Sequence, residues 1–302
     1  MELGMVGLGK MGGNMTARLV KGGHRVVGYA RSKPVVDAAV REGAAGAGSL
    51  ADLVRQLAPP RVVWLMIPSG PPVDQTLEQL RPLLAAGDLI VDGGNSYYRD
   101  TLRRAGLVAQ WGFRFVDVGT SGGVWGRTEG YSMMVGGEEA DVERIRPVLE
   151  TLAPGPERGW GRVGPVGAGH FVKMVHNGIE YGLMQAYAEG FAVLQGKTEF
   201  ALDLHQVAAI WRYGSVVRSW LLELTEAALA ENPTLDGIEP WVEDSGEGRW
   251  TVTEALDLNI PAPVITLALQ QRLRSREANP FTERLLAMMR HGFGGHAVKR
   301  AE

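Results

Sequence analysis

The sequence predicts an α/β protein in which a doubly wound sheet is followed by an all-helical domain. Short apolar runs alternate with helical patterns up to residue 164, and beyond that point the pattern is helical throughout. A third observation is the spacing Gly-x-Gly-x-x-Gly at residues 7–12, between a strand pattern and a helix pattern. We therefore expect a Rossmann-type domain over residues 1–164 and a helical domain with a C-terminal tail over residues 165–302.

The composition indicates a globular protein and excludes several kinds of function. The 302 residues suffice for two domains with hydrophobic cores, and 45% hydrophobic and 22% charged residues are ordinary for a globular protein. A formal net charge of −3 gives no reason to expect a nucleic acid or an anionic membrane as partner. The absence of cysteine excludes disulfides, thiolate catalysis and Cys-based zinc sites. Because the sequence shows no signal peptide and no long apolar run, a cytoplasmic protein is expected.

The first thirty residues place the glycine pattern in the context that a dinucleotide-binding turn requires. Strand patterns at residues 2–6 and 25–29 flank the glycines and the helical pattern that follows them. Gly7 and Gly9 allow a tight turn close to a pyrophosphate, and Gly12 allows the helix to pack close to the strand. The helix N-terminus supplies free N–H groups for the anion. We expect the cofactor to be bound by Gly7, Leu8, Gly9, Lys10, Met11 and Gly12.

The residues after the second strand indicate which dinucleotide is bound. An acid at this place would accept hydrogen bonds from the ribose 2′-hydroxyl of NAD, but the chain has Arg31 and Ser32 instead. A guanidinium can stack on adenine and pair with a 2′-phosphate, and the hydroxyl adds a further donor. We therefore predict NADP, with NAD as the alternative if Arg31 is only a surface cation.

Strand and helix patterns continue to alternate through the rest of the first domain. Further strands are predicted at residues 61–67, 88–91, 113–117, 131–135 and 159–163, and helices at residues 73–84, 138–152 and up to residue 111. Ligands lie at the carboxyl ends of strands in such sheets, so Met66 and Asn95 are expected to line the nicotinamide region. For Asn95, an Asx turn before the next helix is an equally good interpretation.

A glycine-rich loop is predicted at residues 119–130. So many glycines in one loop suggest backbone N–H groups that are presented to an anion, such as a substrate carboxylate. The alternative is a flexible surface loop, against which the adjacent Trp125 argues mildly.

The segment at residues 167–182 carries the most informative pattern. If it is helical, its polar residues at i, i+3, i+4 and i+7 share one face, and most of the remaining surface is apolar and expected to be buried. These polar residues are Lys173, His176, Asn177 and Glu180. Seven residues of helix rise by roughly 10 Å, so the amine and the carboxylate can meet opposite ends of a sugar-sized molecule. The alternative is an ordinary solvent face, which is rarely so narrow.

Helices account for the rest of the second domain. They are predicted at residues 170–195, 202–213, 219–230, 251–258, 263–274 and 281–289. The tail that follows holds Arg290 and His296 among glycines, a composition suited to reaching a binding site. A disordered basic end is the alternative.

These residues together resemble a known family. The chain resembles decarboxylating 6-phosphogluconate dehydrogenases of short chain length, within the β-hydroxyacid dehydrogenase superfamily. The similar parts are the glycine fingerprint, the segments at residues 92–96, 121–123 and 167–181, and the tail. The resemblance runs over nearly the whole chain. It is most specific over residues 170–181.

The resemblance implies an oxidation followed by a decarboxylation, without a metal. Lys173 would take the proton from the substrate 3-hydroxyl while hydride leaves C3, and Glu180 would protonate C1 of the enediol to release ribulose 5-phosphate. The lysine role needs a lowered pKa, which burial would supply. By the same resemblance, the carboxylate and hydroxyls would be held by Asn95, Ser121, Gly122, Gly123, His176 and Asn177. Tyr181 and Arg272 would hold the phosphate.

The resemblance also implies self-association and contains one departure. Arg290 and His296 match a tail motif that reaches the neighbouring subunit's site, which implies a homodimer or homotetramer that associates through the helical domain. The departure is Ser245, which stands where longer family members carry a phosphate-binding lysine. Arg249 is a candidate to compensate for it.

Two other functions compete with this interpretation. One is a β-hydroxyacid dehydrogenase that acts on an unphosphorylated acid such as gluconate or 3-hydroxyisobutyrate, which Ser245 favours and Glu180, Tyr181 and Arg272 disfavour. The other is a catalytically silent NADP-binding sensor, whose expected mark is the loss of Lys173 or Glu180. A nucleic-acid-binding role has no basic stripe to support it.

Overall fold

The structure, a computed structural model, describes residues 1–294 and 297–300. The chain divides into two compact units, Met1–Asn177 and Gly178–Glu302, which are described separately below. The domain boundary expected between residues 164 and 165 stays a prediction.

Unit 1 is built on one eight-stranded sheet. Its strands are β1 (Glu2–Val6), β2 (Arg25–Tyr29), β3 (Ala45–Gly46), β4 (Val62–Leu65), β5 (Leu89–Asp92), β6 (Arg114–Ser121), β7 (Ser132–Gly136) and β8 (Trp160–Gly164). Their order is β3-β2-β1-β4-β5-β6-β7-β8. All neighbouring pairs are parallel except β6 and β7. The chain therefore leaves β1 for β2 and β3 on one side and returns to β4 on the other, which confirms the predicted doubly wound sheet.

Helices cover both faces of this sheet. They are α1 (Lys10–Lys21), α2 (Lys33–Arg41), α3 (Leu50–Arg55), α4 (Pro71–Leu80), α5 (Tyr98–Gln110), α6 (Gly126–Glu129), α7 (Glu139–Leu152) and the first turns of α8 (Ala168–Gly196). Successive residues of a strand point to opposite faces. In β4, Trp64 packs in one buried cluster with Met15 and Ile145, whereas Val63 packs in the other with Leu77. Both faces are thus buried, as a parallel sheet requires.

Two stretches of unit 1 differ from the sequence prediction. The elements α2, β3 and α3 are not predicted. Strand β3 has two residues and α3 has six, too few to show a clear hydrophobic period, whereas α2 has nine residues and an amphipathic pattern that the prediction missed. The loop predicted at residues 119–130 is largely ordered structure. Antiparallel pairing with β7 carries β6 on to Ser121, and a 3-10 turn (Gly123–Trp125) leads into α6.

Unit 2 is helical throughout the part that the structure describes, as predicted. It contains the remainder of α8, then α9 (Leu204–Trp211), α10 (Trp220–Glu231), α11 (Glu247–Asp257), α12 (Pro263–Arg274) and α13 (Phe281–Gly294). The N-termini of α9 and α10 are capped by Asp203 and Ser219, whose side chains accept hydrogen bonds from backbone N–H groups. The helix α13 continues past the predicted end at residue 289.

Exposed apolar side chains are common in unit 2. The prediction that α8 is buried outside its polar face is only partly right, because Ile179 is 53% exposed and Leu183 is 46% exposed. Within the described ranges, no helix combines the length and apolarity that crossing a membrane requires. The cytoplasmic location stays a prediction.

Candidate active site

The glycine fingerprint lies in the turn between β1 and α1. Gly7 has φ +96°, and a Cβ at this position would clash with the Met66 carbonyl oxygen. A Cβ on Gly12 would overlap the Gly7 carbonyl oxygen, so this glycine lets α1 pack close to β1.

Gly9 differs from both of these glycines. It is the N-cap residue of α1, and a Cβ on it would meet nothing within 4 Å among the described atoms. Packing within the protein therefore does not explain this glycine. The α1 helix begins beside this open space, and the first N–H groups of a helix have no partner inside it, so the place suits the pyrophosphate of a dinucleotide. Next to it, Leu8 is buried, Lys10 is exposed and Met11 is half-buried.

The two residues that the sequence assigns to cofactor choice follow β2. Arg31 and Ser32 are both exposed. Ser32 is the N-cap residue of α2, and its side chain makes no capping hydrogen bond within the described part of the chain. Both side chains are thus placed at the carboxyl end of β2, where the adenosine ribose binds in such folds.

The carboxyl ends of β4 and β5 carry the predicted nicotinamide region. Met66 directly follows β4 and is half-buried, and Asn95 lies in the turn after β5 and is exposed. Asp92, which is fully buried, organises this turn by accepting hydrogen bonds from the Gly94 N–H (3.1 Å) and the Ser96 hydroxyl (2.8 Å). Asp92 therefore contributes a side-chain-to-backbone bond to this turn.

A buried arginine joins these two strand ends, and the sequence analysis missed it. Arg104 on α5 is fully buried and donates to the Gly70 carbonyl (3.0 Å), to both carboxylate oxygens of Asp74 (3.0 and 3.1 Å) and to the Ser96 hydroxyl (3.3 Å). The guanidinium thus ties the loop after β4 to the turn that carries Asn95. On a helix with several charges, nothing in the sequence marks this arginine as the buried one.

The predicted carboxylate-binding residues lie at the end of β6. Ser121 is the last residue of the strand, and Gly122 and Gly123 follow with φ of +133° and +53°. Arg18 of α1 braces the segment beyond them by donating to the backbone carbonyls of Arg127 (3.3 Å) and Thr128 (3.1 Å). The helix of the fingerprint therefore fixes this segment directly.

The α8 helix brings three predicted site residues of unit 1 together. Lys173 is only 6% exposed, and its Nζ donates to Asn177 Oδ1 at 2.5 Å and lies 3.3 Å from His176 Nδ1. The His176 ring nitrogen is in turn 3.0 Å from Asn177 Oδ1. Glu180 follows on the same helix, in unit 2, and is half-buried. The stripe predicted from spacing is therefore a compact polar cluster at its Lys173 end.

The start of α8 is anchored by residues that the sequence analysis did not single out. Asp117 of β6 is fully buried, and its carboxylate accepts hydrogen bonds from the backbone N–H groups of Gly167 (2.7 Å) and His170 (2.8 Å). Burial raises the pKa of Asp117, although His170 and these two donors oppose the shift. His170 is buried too, and its Nδ1 lies 2.7 Å from the Thr101 hydroxyl.

In unit 2, the two predicted phosphate ligands are in contact. The Arg272 guanidinium lies 3.5 Å from the centroid of the Tyr181 ring, and Nη1 donates to the Glu243 carbonyl at 2.8 Å. The Tyr181 hydroxyl is 3.5 Å from Asp244 Oδ1. This stacking holds the planar guanidinium in a fixed orientation.

The cation expected to compensate for Ser245 is already paired. Arg249 donates to Asp244 Oδ2 at 2.7 Å, and the Ser245 hydroxyl donates to Glu247. Burial, the largest single influence, acts to raise the pKa of Asp244, but the hydrogen bonds from Arg249 and from the Gly246 N–H, together with the nearby guanidinium charges, outweigh it, and the pKa is lowered. Arg249 is therefore engaged in an ion pair in this structure.

The structure describes only one of the two predicted tail residues. Arg290 is exposed on α13, whereas His296 lies outside the described residues. The roles of all these residues stay predictions.

Comparisons with known proteins agree with the residue pattern. The family model described as the NAD binding domain of 6-phosphogluconate dehydrogenase matches residues 2–163, and that of the 6-phosphogluconate dehydrogenase C-terminal domain matches residues 169–292. The chain is 44% identical over 303 residues to the NAD(+)-dependent, decarboxylating 6-phosphogluconate dehydrogenase of Haloferax volcanii, with 100% of each chain covered.

Longer relatives match over part of their length. The chain is 36% identical to the NADP(+)-dependent, decarboxylating 6-phosphogluconate dehydrogenase of Bacillus subtilis, with 91% of this chain and 61% of that protein covered. It superposes on 6-phosphogluconate dehydrogenase of Plasmodium falciparum, solved alone, with NADP+ and with 6-phosphogluconate, at a TM-score of 0.84 and 29% identity. That match covers 100% of this chain and 67% of the other. The resemblance is confirmed: the chain belongs to the 6-phosphogluconate dehydrogenase family.

Proposed function

We propose that this protein oxidatively decarboxylates 6-phospho-D-gluconate to ribulose 5-phosphate and CO2 while NAD(P) is reduced. The observation that carries the proposal is the buried Lys173 amine, held at 2.5 Å by Asn177 in a chain of this family. An amine with a fixed position and little access to water is suited to exchanging a proton with a substrate hydroxyl.

Lys173 takes up a proton in the oxidation and gives one back in the decarboxylation. In its neutral form it takes the proton from the 3-hydroxyl, and the bound nicotinamide supplies the acceptor for the C3 hydride. The resulting 3-keto acid loses CO2 as the C1–C2 bonding pair moves into a new C2=C3 double bond. Lys173, now an ammonium, returns its proton to the C3 oxygen. Asn177 keeps the amine oriented in both steps.

Glu180 completes the reaction on the enediol. It donates a proton to the carbon that carried the carboxylate, and the ketone forms as the enediol hydroxyl gives up its proton to Lys173. A base and an acid on one helix can serve adjacent carbons of the same substrate chain.

The other site residues bind the substrate in this proposal. The carboxylate and hydroxyls are held by Asn95, Ser121, Gly122, Gly123, His176 and Asn177. The phosphate is held by Tyr181 and Arg272, whose mutual stacking supports this role because it fixes the direction of the guanidinium.

NADP is the favoured cofactor, and NAD is the alternative. Gly7, Leu8, Gly9, Lys10, Met11 and Gly12 hold the pyrophosphate, and Met66 and Asn95 border the nicotinamide. The preference rests on the exposed Arg31 and Ser32 and on the absence of an acid in the sequence after β2. Because relatives with either specificity are similar to this chain, a direct comparison of the two cofactors decides this point.

Self-association completes the site. Unit 2 exposes large apolar side chains, among them Val193 (74%) and Tyr213 (77%), which a second copy of the chain would bury. Arg290 and His296 of that copy add cations to the phosphate site. Light scattering should therefore report a homodimer or homotetramer. Truncation after Met289 should raise KM for 6-phosphogluconate, and an unchanged KM would disprove the role of the tail.

The test of the proposed function compares initial rates with 6-phosphogluconate and with gluconate, each with NADP and NAD, while released CO2 is trapped. We expect one CO2 per reduced cofactor and a strong preference for the phosphorylated acid, and loss of activity in Lys173→Met. The second candidate, a dehydrogenase for an unphosphorylated acid, is favoured by the pairing of Arg249 with Asp244 and by Ser245. Activity on gluconate alone, or oxidation without CO2, would establish that second candidate.

A further inference from the structure

We propose that Asp117 is a positioning residue that holds Lys173 in place by fixing the first turn of α8 against β6. This inference rests on the proposed function, in which Lys173 carries the proton transfers. Asp117 itself touches neither Lys173 nor the reacting atoms; it acts through the helix backbone.

The first argument is the hydrogen bonding of the helix start. The first N–H groups of a helix have no partner inside it. At α8, Asp117 Oδ1 accepts from the Gly167 N–H and Oδ2 accepts from the His170 N–H, so each carboxylate oxygen fixes one backbone donor. Both bonds are charge-assisted and buried, which makes them stronger than neutral ones. The capping carboxylate comes from a strand about fifty residues earlier, so the bonds fix the helix relative to the sheet.

The second argument is the close packing at the same place. A Cβ on Gly169 would lie 2.5 Å from the Met134 carbonyl oxygen and 2.7 Å from that of Asp117. A Cβ on Gly119 would clash with the Cβ of Lys173. The helix therefore rests directly on the backbones of β6 and β7, and the stem of Lys173 lies on Gly119.

The third argument is a second anchor at the helix start, the His170 side chain. The buried His170 ring contacts the Thr101 hydroxyl of α5 at 2.7 Å, and its Nδ1 is 3.9 Å from Asp117 Oδ2. Lys173 follows His170 by three residues, which corresponds to about 4.5 Å of helix rise. A shift of the first turn is thus transmitted to the amine with little loss.

The expected size of the effect follows from the sensitivity of catalysis to geometry. A misplacement of about 1 Å costs about 100-fold in rate. In Asp117→Asn, one oxygen still accepts a hydrogen bond, but the amide NH2 opposes the second backbone N–H. We expect kcat to fall about 100-fold. The Kd of NADP should stay within about twofold, because the fingerprint is at the α1 N-terminus.

The matched control is Asp88→Asn. Asp88 is also fully buried and also accepts from two backbone N–H groups, those of Arg61 (2.6 Å) and Ala85 (2.9 Å). It directly precedes β5, at the amino end of that strand and away from the carboxyl ends that carry Met66 and Asn95, and it has no part in the proposed chemistry. A general loss of stability should therefore affect both variants, whereas a loss of Lys173 positioning should affect only Asp117→Asn.

The decisive readout is the primary deuterium isotope effect with 6-phosphogluconate deuterated at C3. If Lys173 is misplaced, the oxidation step becomes slower than product release, so the isotope effect on kcat should rise in Asp117→Asn and stay at the wild-type value in Asp88→Asn. A variant that is only partly folded loses kcat without any change in the isotope effect. Equal kcat values and equal isotope effects for the two variants would overturn the inference.

Two further outcomes are distinguished by the same set of proteins. If Asp117→Asn does not fold, Thr101→Val decides, since it removes only the hydroxyl beside His170. A lower kcat with a raised isotope effect would support the inference, and wild-type values would overturn it. If the wild type itself does not convert 6-phosphogluconate, the proposed function fails together with this inference, whereas an active wild type with normal Asp117→Asn refutes the inference alone.

Discussion

Two adjacent arginines on α5 offer a direct test of how burial changes the contribution of an ion pair to the free energy of unfolding. Arg103 and Arg104 both donate to Asp74, at 2.8 Å and at 3.0 Å. The hydrogen bonds from Arg104 and Arg103 lower the pKa of Asp74, with that from Arg104 the larger contribution. The Arg103 side chain is 49% exposed, however, whereas that of Arg104 is fully buried. We compare Arg103→Met with Arg104→Met.

The structure sets the expected magnitudes. Breaking a buried ion pair by removing one partner costs about 3–5 kcal/mol. For Arg104 we expect the lower end, about 3 kcal/mol, because Asp74 is partly exposed and keeps its bond to Arg103. The loss is still large since the Gly70 carbonyl and Ser96 hydroxyl also lose their donor. Arg103→Met removes an exposed pair, and we expect at most about 1 kcal/mol.

The assay is urea denaturation of each variant, in which unfolding is monitored by two signals: circular dichroism and the loss of NADP binding. The second signal reports on unit 1, where Arg104 joins the loop after β4 to the turn that holds Asn95. Free energies of unfolding that differ between the two variants by less than about 1 kcal/mol would refute the reasoning, because burial would then have no measurable weight. A larger cost for Arg103→Met would refute it as well.

Three further predictions concern pH, cofactor and substrate. Burial, with a smaller contribution from the N-terminal amino group, lowers the pKa of His24 below 6.5, so the unfolded chain binds the proton more tightly. The contribution of His24 to stability is therefore fully present above pH 6.5 and is lost as the pH falls towards the folded pKa. We expect His24→Gln to reduce the difference in unfolding free energy between pH 7.5 and pH 5.5. An unchanged difference would contradict this assignment. Arg31→Ala should raise KM for NADP by about 10-fold or more and leave KM for NAD within about twofold, in initial-rate measurements; equal changes would show that Arg31 does not recognise the 2′-phosphate. Arg272→Met should raise KM for 6-phosphogluconate by about 100-fold, while Arg249→Met, whose cation is paired with Asp244, should raise it less than about 10-fold. A larger increase in KM for Arg249→Met than for Arg272→Met would show that Arg249, and not Arg272, binds the phosphate.

The site residues that the sequence predicts share one property: their signal is local. The fingerprint needs only a strand, three spaced glycines and a helix, and all lie within thirty residues. The cluster of Lys173, His176 and Asn177 follows from helical spacing, and the structure brings these three side chains together. The doubly wound class of the sheet also follows from the alternation of strand and helix patterns, whereas the order of the eight strands is given by the structure.

The residues that the sequence analysis missed depend on contacts between distant segments. In the sequence, Asp117 looks like an ordinary strand residue. Its role as an anchor depends on the start of α8, which is fifty residues further along the chain and contacts Asp117 only in the folded protein. Arg104 depends on distant contacts in the same way, because its partners Asp74 and Gly70 lie 30 and 34 residues earlier in the chain.

The sequence by itself determined the fold class, the glycine-rich turn between β1 and α1 and the polar face of α8, because backbone periodicity and glycine spacing act over short stretches of the chain. Only the tertiary structure decided which charged residues are buried, which carboxylate anchors the helix of Lys173 and which arginine stacks on Tyr181. The physical reason is that the value of a charge or a hydrogen bond depends on the removal of water, and water is removed by segments that are far apart in the chain.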